Sequence, residues 1–169
     1  MAAFASSLLK KASPQATSSA EDQPNIPPIT LVLWAMSILE LASKRHSPRA
    51  FNGTGLTWND LADGFEAARL SSSSYNNQPW RFVVALRGET GFEALLETAV
   101  DANRKWMKDA GAIVGVMASN VLEKTGETDH AAFLGVGMAV AAMELSFTEK
   151  GLASMQVGGF DRGAFKSLL

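Results

Sequence analysis

Cysteine is absent from this chain of 169 residues, and histidine occurs only twice. Without thiols the chain cannot form disulfides, attack a substrate with a thiolate or ligate an iron–sulfur cluster. The two histidines, His46 and His130, lie far apart in the sequence, so a zinc site built on the usual His and Cys ligands is not expected. We therefore predict no metal site.

Net charge is also scarce. There are 15 lysines and arginines against 17 aspartates and glutamates, which gives a formal net charge of −2. Such a protein lacks the positive field that gathers nucleic acid or anionic lipid. No uninterrupted apolar run reaches the roughly 18 residues that cross a bilayer, since the best one, residues 31–41, is short and contains Glu40. We expect neither a nucleic-acid nor a membrane partner.

The composition is typical of one globular domain, with 47% hydrophobic and 19% charged residues. Residues 1–28 differ from the rest, because they are rich in Ala and Ser and contain no acid before Glu21. We interpret them as a disordered extension, and the alternative is a transit peptide. The expected location is the cytoplasm, or an organelle if the extension is a transit peptide. The folded domain is then residues 29–169.

Hydrophobic periodicity predicts an α+β domain. The expected helices are residues 31–44, 57–69, 90–103, 129–150 and a short last one capped by Asp161, and the expected strands are residues 81–86, 113–117 and 152–157. Thr57 with Asp60, and Thr90 with Glu93, have the spacing of capping boxes. The order is not a Rossmann repeat, because no strand precedes the first two helices and no glycine-rich phosphate motif occurs.

A basic segment, residues 44–49, closes the first predicted helix with Lys44, Arg45, His46, Ser47 and Arg49. Guanidinium groups suit phosphate because their forked donors match two oxygens at once. The alternative is a solvated helix end, where cations also interact favourably with the helix dipole.

A polar loop, residues 71–80, follows the second predicted helix and is rich in Ser and Asn. Its hydroxyl and amide groups suit neutral polar ligand groups such as ribityl hydroxyls and ring edges. The alternative is a flexible serine-rich linker. Pro79 and Trp80 argue against that alternative, because they are stiff and lead directly into a buried strand.

Together the two segments resemble the FMN-dependent nitroreductase-like family. In that family an Arg-x-Ser-x-Arg/Lys motif closes the first helix, and a Ser-Ser-x-Asn-x-Gln-Pro-Trp loop precedes the first strand. The residues of this chain that match are Arg45, Ser47, Arg49, Ser73, Ser74, Asn76, Gln78, Pro79 and Trp80. The resemblance extends over roughly residues 31–166.

The resemblance implies a cofactor site for FMN. The implied site residues are Arg45, His46, Ser47, Arg49, Ser73, Ser74, Asn76, Gln78, Asn103, Lys105, Gln156, Val157, Gly158 and Gly159. The four from the basic segment would hold the phosphate and ribityl chain. Those at 73, 74 and 76 would reach the flavin from the partner subunit of a homodimer.

The remaining roles concern the flavin ring. Asn103 would bond its pyrimidine edge, and Lys105, or alternatively Arg104, would place positive charge near N1 and O2. The backbone of Gly158 and Gly159 would face N5, a position that suits glycine because backbone must approach the ring closely.

The fold implied is nitroreductase-like, with a mixed β-sheet flanked by helices and a long central helix at the dimer core. The activity implied is transfer of reducing equivalents from NADH or NADPH, through FMN, to a nitroaromatic, quinone or similar acceptor. Members of the family continue into a further strand and a basic tail that this sequence lacks. The alternative is therefore an incomplete or degenerate member with weak FMN binding and no turnover.

Overall fold

The computed structural model describes residues 36–169. The α-helices and strands in that range are α1 (Ile38–Lys44), α2 (Trp58–Arg69), β1 (Trp80–Leu86), α3 (Thr90–Thr98), α4 (Asp101–Met107), β2 (Ala112–Ala118), α5 (Ala132–Glu149) and α6 (Arg162–Lys166), and a short 3-10 helix covers Ser74–Asn76. The α+β class is confirmed. The predictions for residues 1–28, and for the first turn of the first helix, lie outside the described residues.

The described sheet consists of β1 and β2, paired antiparallel with Trp80 opposite Ala118 and Leu86 opposite Ala112. Successive side chains along a strand point to opposite faces. One face, Trp80, Phe82, Val84, Leu86 and Ala112, packs with α2 and α5. The other, Val83, Ala85, Ile113 and Met117, packs with α3, α4 and α6. Packing on both faces explains why the strands are continuously apolar, although the residues of β2 are only half-buried and Val116 is exposed.

The contact between α2 and α5 is the most extensive helix–helix contact of the described domain. It depends on Gly64, because a Cβ at that position would lie only 2.1 Å from Cε1 of Phe147. The small residue lets the Phe147 ring lie directly against the α2 backbone. Leu61 and Ala68, on the same face of α2, are buried beside it.

Two predicted helix termini are confirmed by their hydrogen bonds. Thr57 and Asp60 form the predicted capping box of α2, with the Thr57 amide 2.7 Å from the Asp60 carboxylate. The Thr57 hydroxyl and backbone amide both donate to this carboxylate and lower the pKa of Asp60. Asp161 caps α6 by accepting from the amides of Gly163 and Ala164 at 2.7 and 3.0 Å.

The predicted capping box at Thr90 and Glu93 is wrong. Glu89 is the N-cap residue of α3 and makes no side-chain cap bond. Its carboxylate instead accepts from the amide of Leu86 at 2.9 Å, which ties the helix start to the end of β1.

The single helix predicted for residues 90–103 is divided into α3 and α4. Ala99 and Val100 between them are extended, with ψ values of 149° and 152°. Ala99 forms a β-bridge with Phe160, and the Val100 amide donates to the carbonyl of Gly159 at 3.1 Å. These long-range bonds take the place of helical ones. The first helix is also shorter than predicted, because Ser37 caps it with Glu40 and Met36 lies outside it.

The strand predicted for residues 152–157 is not formed. A strand needs a ladder of backbone bonds to a neighbour, and no strand of residues 36–169 pairs with this segment. The Leu152 amide instead bonds to the carbonyl of Phe147 at 2.9 Å, folding the chain back on the end of α5. Leu152, Ser154 and Val157 are half-buried. The apolar residues that suggested a strand therefore serve to pack an irregular segment against the domain.

The helix α5 is long and apolar enough, by length and composition, to cross a membrane. Counting uninterrupted apolar runs did not reveal this property. In the described domain it packs against α2 and both strands and carries the buried carboxylate of Glu144, while 33% of its residues are buried. Gly151, with φ of 75°, ends it as predicted, a conformation that glycine adopts without strain.

We predict that Gly64→Ala lowers the free energy of unfolding by about 1–3 kcal/mol, because the added methyl overlaps the Phe147 ring. The steric cost of the overlap should therefore exceed the gain of about 1 kcal/mol that alanine brings to a helix interior. Urea denaturation measures the change. Gly55→Ala is the matched control, since no described atom lies within 4 Å of its Cβ position, and it should be neutral or slightly stabilising. Equal stabilities for the two variants would contradict the packing argument.

Candidate functional site

A cavity of about 980 Å³ lies between β2, α5 and two irregular segments, residues 46–56 and 151–157. Its volume is at the upper end of the range for small-molecule sites, about 300–1,000 Å³. Most of its lining is apolar. Three of the predicted site residues, His46, Gln156 and Val157, lie on its wall. The fold thus brings the basic segment and the segment after α5 to one cavity.

The basic segment leaves helical geometry at Arg45, whose ψ is 123°. His46 Nδ1 lies 3.1 Å from the carbonyl oxygen of Lys44. Arg45 is half-buried, while Ser47 and Arg49 are exposed. The side chains of these last three residues form no hydrogen bond or ion pair with residues 36–169, so their donors are available to a ligand.

The polar loop is held in place by Asn77. Its Nδ2 donates to the carbonyl of Val121 and to the buried carboxylate of Asp129, both at 3.0 Å, and its Oδ1 accepts from the Glu123 amide at 3.0 Å. The loop also packs on α5, where Gly135 lets Pro79 approach. These contacts contradict the alternative of a flexible linker.

Within the loop the predicted residues bond mainly to one another. Ser73 Oγ accepts from the amide of Gln78 at 2.9 Å, and Gln78 Nε2 donates to Asn76 Oδ1 at 3.3 Å. Tyr75, Asn76 and Gln78 have φ of 51°, 55° and 48°. Such left-handed conformations cost energy for residues other than glycine, and they persist where the surroundings impose them.

Asn103 and Gly159 are in direct contact. Asn103 Nδ2 donates to the Gly159 carbonyl at 2.9 Å. A Cβ on Gly159 would lie 2.7 Å from that same nitrogen and 3.2 Å from Cγ2 of Val100, so any larger residue would force the Asn103 side chain to move. No described residue donates to Asn103 Oδ1, which leaves this oxygen for a ligand. The predicted grouping of α4 with the glycine pair is thus present in the fold.

The structure distinguishes the two candidate cations on α4. Arg104 pairs with Glu97 at 3.2 Å and also with Asp101. Lys105 is exposed and pairs with no acid among residues 36–169. Lys105 is therefore the cation that is available to a ligand.

Most of the predicted residues do not line the large cavity: Arg45, Ser47, Arg49, Ser73, Ser74, Asn76, Gln78, Asn103, Lys105, Gly158 and Gly159. Asn76 lies instead on a separate cavity of about 310 Å³. One chain therefore does not gather the full predicted set. In the part of the chain that the structure describes, no three His, Asp or Glu side chains are grouped as metal ligands.

Three lining residues were missed by the sequence reasoning. Phe51 and Trp106 stack with ring centroids 5.9 Å apart and give the wall an aromatic surface. Glu144, only 7% exposed, accepts hydrogen bonds from Ser154 and Gln156. A signal for Glu144 was present, because it is the lone charge in the long apolar stretch of α5 before Glu149.

Comparisons with known proteins agree with this architecture. A family model described as "Nitroreductase family" matches residues 42–105, which include the basic segment and the polar loop. The protein named "Putative NAD(P)H nitroreductase Spy0809" of Streptococcus pyogenes serotype M6 is 25% identical, over 79% of this chain and 82% of the relative.

Solved structures share the fold. A crystal structure of an oxidoreductase containing FMN matches with a TM-score of 0.71 and 25% identity, over 75% of this chain. This chain spans 66% of that protein's length, just under two thirds. A nitroreductase family protein of Streptococcus pneumoniae TIGR4 matches with a TM-score of 0.66 and 22% identity, over 78% of this chain and 82% of that one. The predicted nitroreductase-like fold is confirmed.

We predict that Gly159→Ala destabilises the protein by about 0.5–1.5 kcal/mol, because the methyl group displaces the Asn103 amide and breaks its hydrogen bond to the Gly159 carbonyl. The measurement is the Tm by circular dichroism. Gly158→Ala adds the same methyl group where no described atom lies within 4 Å, and its Tm should stay near that of the wild type. Equal Tm values for the two variants would show that the contact with Asn103 does not stabilise the backbone at Gly159.

Proposed function

We propose, on the premise that the chain belongs to the nitroreductase-like family, that it binds FMN and acts as a flavin-dependent oxidoreductase. The observation that carries the proposal is the cavity of about 980 Å³, whose wall includes His46 and Pro48 of the basic segment. The guanidinium groups of Arg45 and Arg49, next to these two residues in the sequence, have no partner among residues 36–169, and guanidiniums are well suited to a phosphate. The apolar and aromatic lining suits a flat ring system.

Each part of the site has a distinct task in this proposal. Arg45, Ser47 and Arg49 bind the phosphate and ribityl chain. Lys105 supplies positive charge beside the pyrimidine end of the ring, where negative charge develops on reduction. Asn103 holds the Gly159 backbone with its Nδ2 and offers its Oδ1 to the ring edge. When bound, FMN supplies the hydride chemistry itself, and the cavity wall excludes water from it.

NADH or NADPH is the proposed hydride donor, and a nitroaromatic, quinone or similar compound is the proposed acceptor. The name of the Streptococcus pyogenes relative supports the nicotinamide donor. The proposed location is the cytoplasm, or an organelle if residues 1–28 direct the chain there. A chain that takes up no FMN would instead match the alternative of a degenerate family member without turnover.

We predict that Arg45→Ala and Arg49→Ala each weaken FMN binding by roughly tenfold to hundredfold, since each removes a charge-assisted bond to phosphate worth about 1.5–3 kcal/mol. Quenching of flavin fluorescence on titration gives the Kd. The control is Arg69→Ala, which removes an exposed arginine that pairs with Glu66 on α2. Unchanged Kd values in both test variants would show that the basic segment does not bind the FMN phosphate.

We also propose a homodimer, in which Ser73, Ser74 and Asn76 of one protomer complete the site of its partner. None of these three residues lines the large cavity of its own chain, which supports this arrangement, as does the exposure of Phe133 and Leu134 on α5, at 78% and 67%. Exposed apolar side chains grouped on a helix are typical of interaction surfaces.

We predict that Leu134→Asp converts the dimer to a monomer and that FMN affinity falls as the dimer is lost. Leu134 is 67% exposed and, unlike Phe133, does not line the large cavity of its own chain, so a change in FMN affinity reports on the dimer. Sedimentation velocity, run with and without FMN, measures both properties. A wild-type monomer that binds FMN tightly would contradict the shared site.

A further inference from the structure

Glu144 is a buried carboxylate in the otherwise apolar core around α5. Its Oε1 accepts from Ser154 Oγ and its Oε2 from Gln156 Nε2, both at 3.0 Å. No Lys, Arg or His among residues 36–169 forms an ion pair with it. The carboxylate is therefore satisfied by neutral donors from a single segment of the chain.

Burying a carboxylate is costly unless hydrogen bonds compensate. Residues 151–159, called the 151–159 segment below, are joined to the rest of the domain by few backbone bonds. The amides of Leu152 and Val100 make two of these, to the carbonyls of Phe147 and Gly159 respectively. Glu144 adds two side-chain bonds at the middle of the segment. It thereby holds against α5 a stretch of chain that no strand supports.

The polarity of these bonds fixes the orientation of the Gln156 amide. A carboxylate only accepts hydrogen bonds, so Gln156 must turn its Nε2 towards Glu144. Its carbonyl oxygen is then the group left for the cavity that Gln156 lines. No described residue donates to that oxygen.

We propose that Glu144 is a positioning residue for the ligand site. It fixes Gln156 so that the cavity wall presents a hydrogen-bond acceptor, and it thereby selects ligands that carry an N–H or O–H donor at that place. The proposal deepens the proposed function and rests on it in one respect, since FMN is the ligand used as the probe.

The test compares Glu144→Ala with Glu144→Gln and with Glu149→Ala, an exposed glutamate of the same helix that serves as the control. Hydrogen exchange at the Leu152 and Val100 amides reports on the 151–159 segment without flavin. The Kd for FMN reports on the ligand site. In Glu144→Ala we expect exchange at both amides to rise roughly tenfold and FMN binding to weaken roughly tenfold, as expected for the loss of hydrogen bonds to a charged group.

Glu144→Gln should behave nearly as the wild type, within about threefold in both measurements, because its amide oxygen still accepts from Gln156 and its Nε2 can donate to the Ser154 hydroxyl. Glu149→Ala should change neither. If Glu144→Ala does not fold, Ser154→Ala is the substitute. It removes one of the two hydrogen-bond donors to Glu144 without changing the buried helix, and hydrogen exchange at the Leu152 amide should still rise severalfold.

Three results would overturn the proposal: exchange in Glu144→Ala equal to that in Glu149→Ala, an unchanged Kd for FMN in Glu144→Ala, or a loss in Glu144→Gln as large as that in Glu144→Ala. If Glu144→Ala does not fold, wild-type exchange at Leu152 in Ser154→Ala would overturn it equally. A wild-type protein that takes up no FMN would overturn the proposed function and with it the role in ligand selection, while the exchange measurement would still decide whether Glu144 holds the segment.

Discussion

The close approach of α5 to α2 is the constraint on which the rest of the described domain depends. Phe147 lies where only a glycine, Gly64, leaves room for its ring. This contact fixes how closely α5 lies over the sheet. The same helix places Met143 and Glu144 on the cavity wall. The packing of α5 on α2 therefore sets the position of the Glu144 carboxylate, a group that is costly to bury.

Regular secondary structure accounts for only part of the cavity wall. The sheet and α5 form one side, whereas residues 46–56 and 151–157 are irregular. The second of these segments is held by the bond that Gln156 donates to Glu144 and, just beyond its end, by the bond that Asn103 donates to the Gly159 carbonyl. A wall fixed by side chains can be altered by single substitutions that leave the fold intact, because the strands and helices do not depend on these bonds.

Local signals in the sequence predicted local structure well. The Thr57–Asp60 capping box, the Asp161 cap and the end of α5 at Gly151 each depend on residues a few positions apart. The polar loop and the basic segment were recognisable for the same reason, since each motif is contiguous.

The errors arose where distant residues decide the conformation. The break between α3 and α4 occurs because Val100 bonds to Gly159, nearly sixty positions away. The apolar pattern of residues 152–157 was that of a strand, yet a strand also requires a neighbour that periodicity does not reveal. Glu144 was missed because its donors, Ser154 and Gln156, meet it only after the chain has turned at Gly151.

The left-handed residues of the polar loop have a consequence for the order of folding. Tyr75, Asn76 and Gln78 adopt backbone angles that an isolated peptide would seldom populate. Asn77 stabilises this shape through Val121 and Asp129, which lie beyond β2 in the sequence. The loop therefore gains its native conformation only after the pairing of β1 with β2 and the start of α5 are in place. It should form late during folding and be among the first regions to open in the native state.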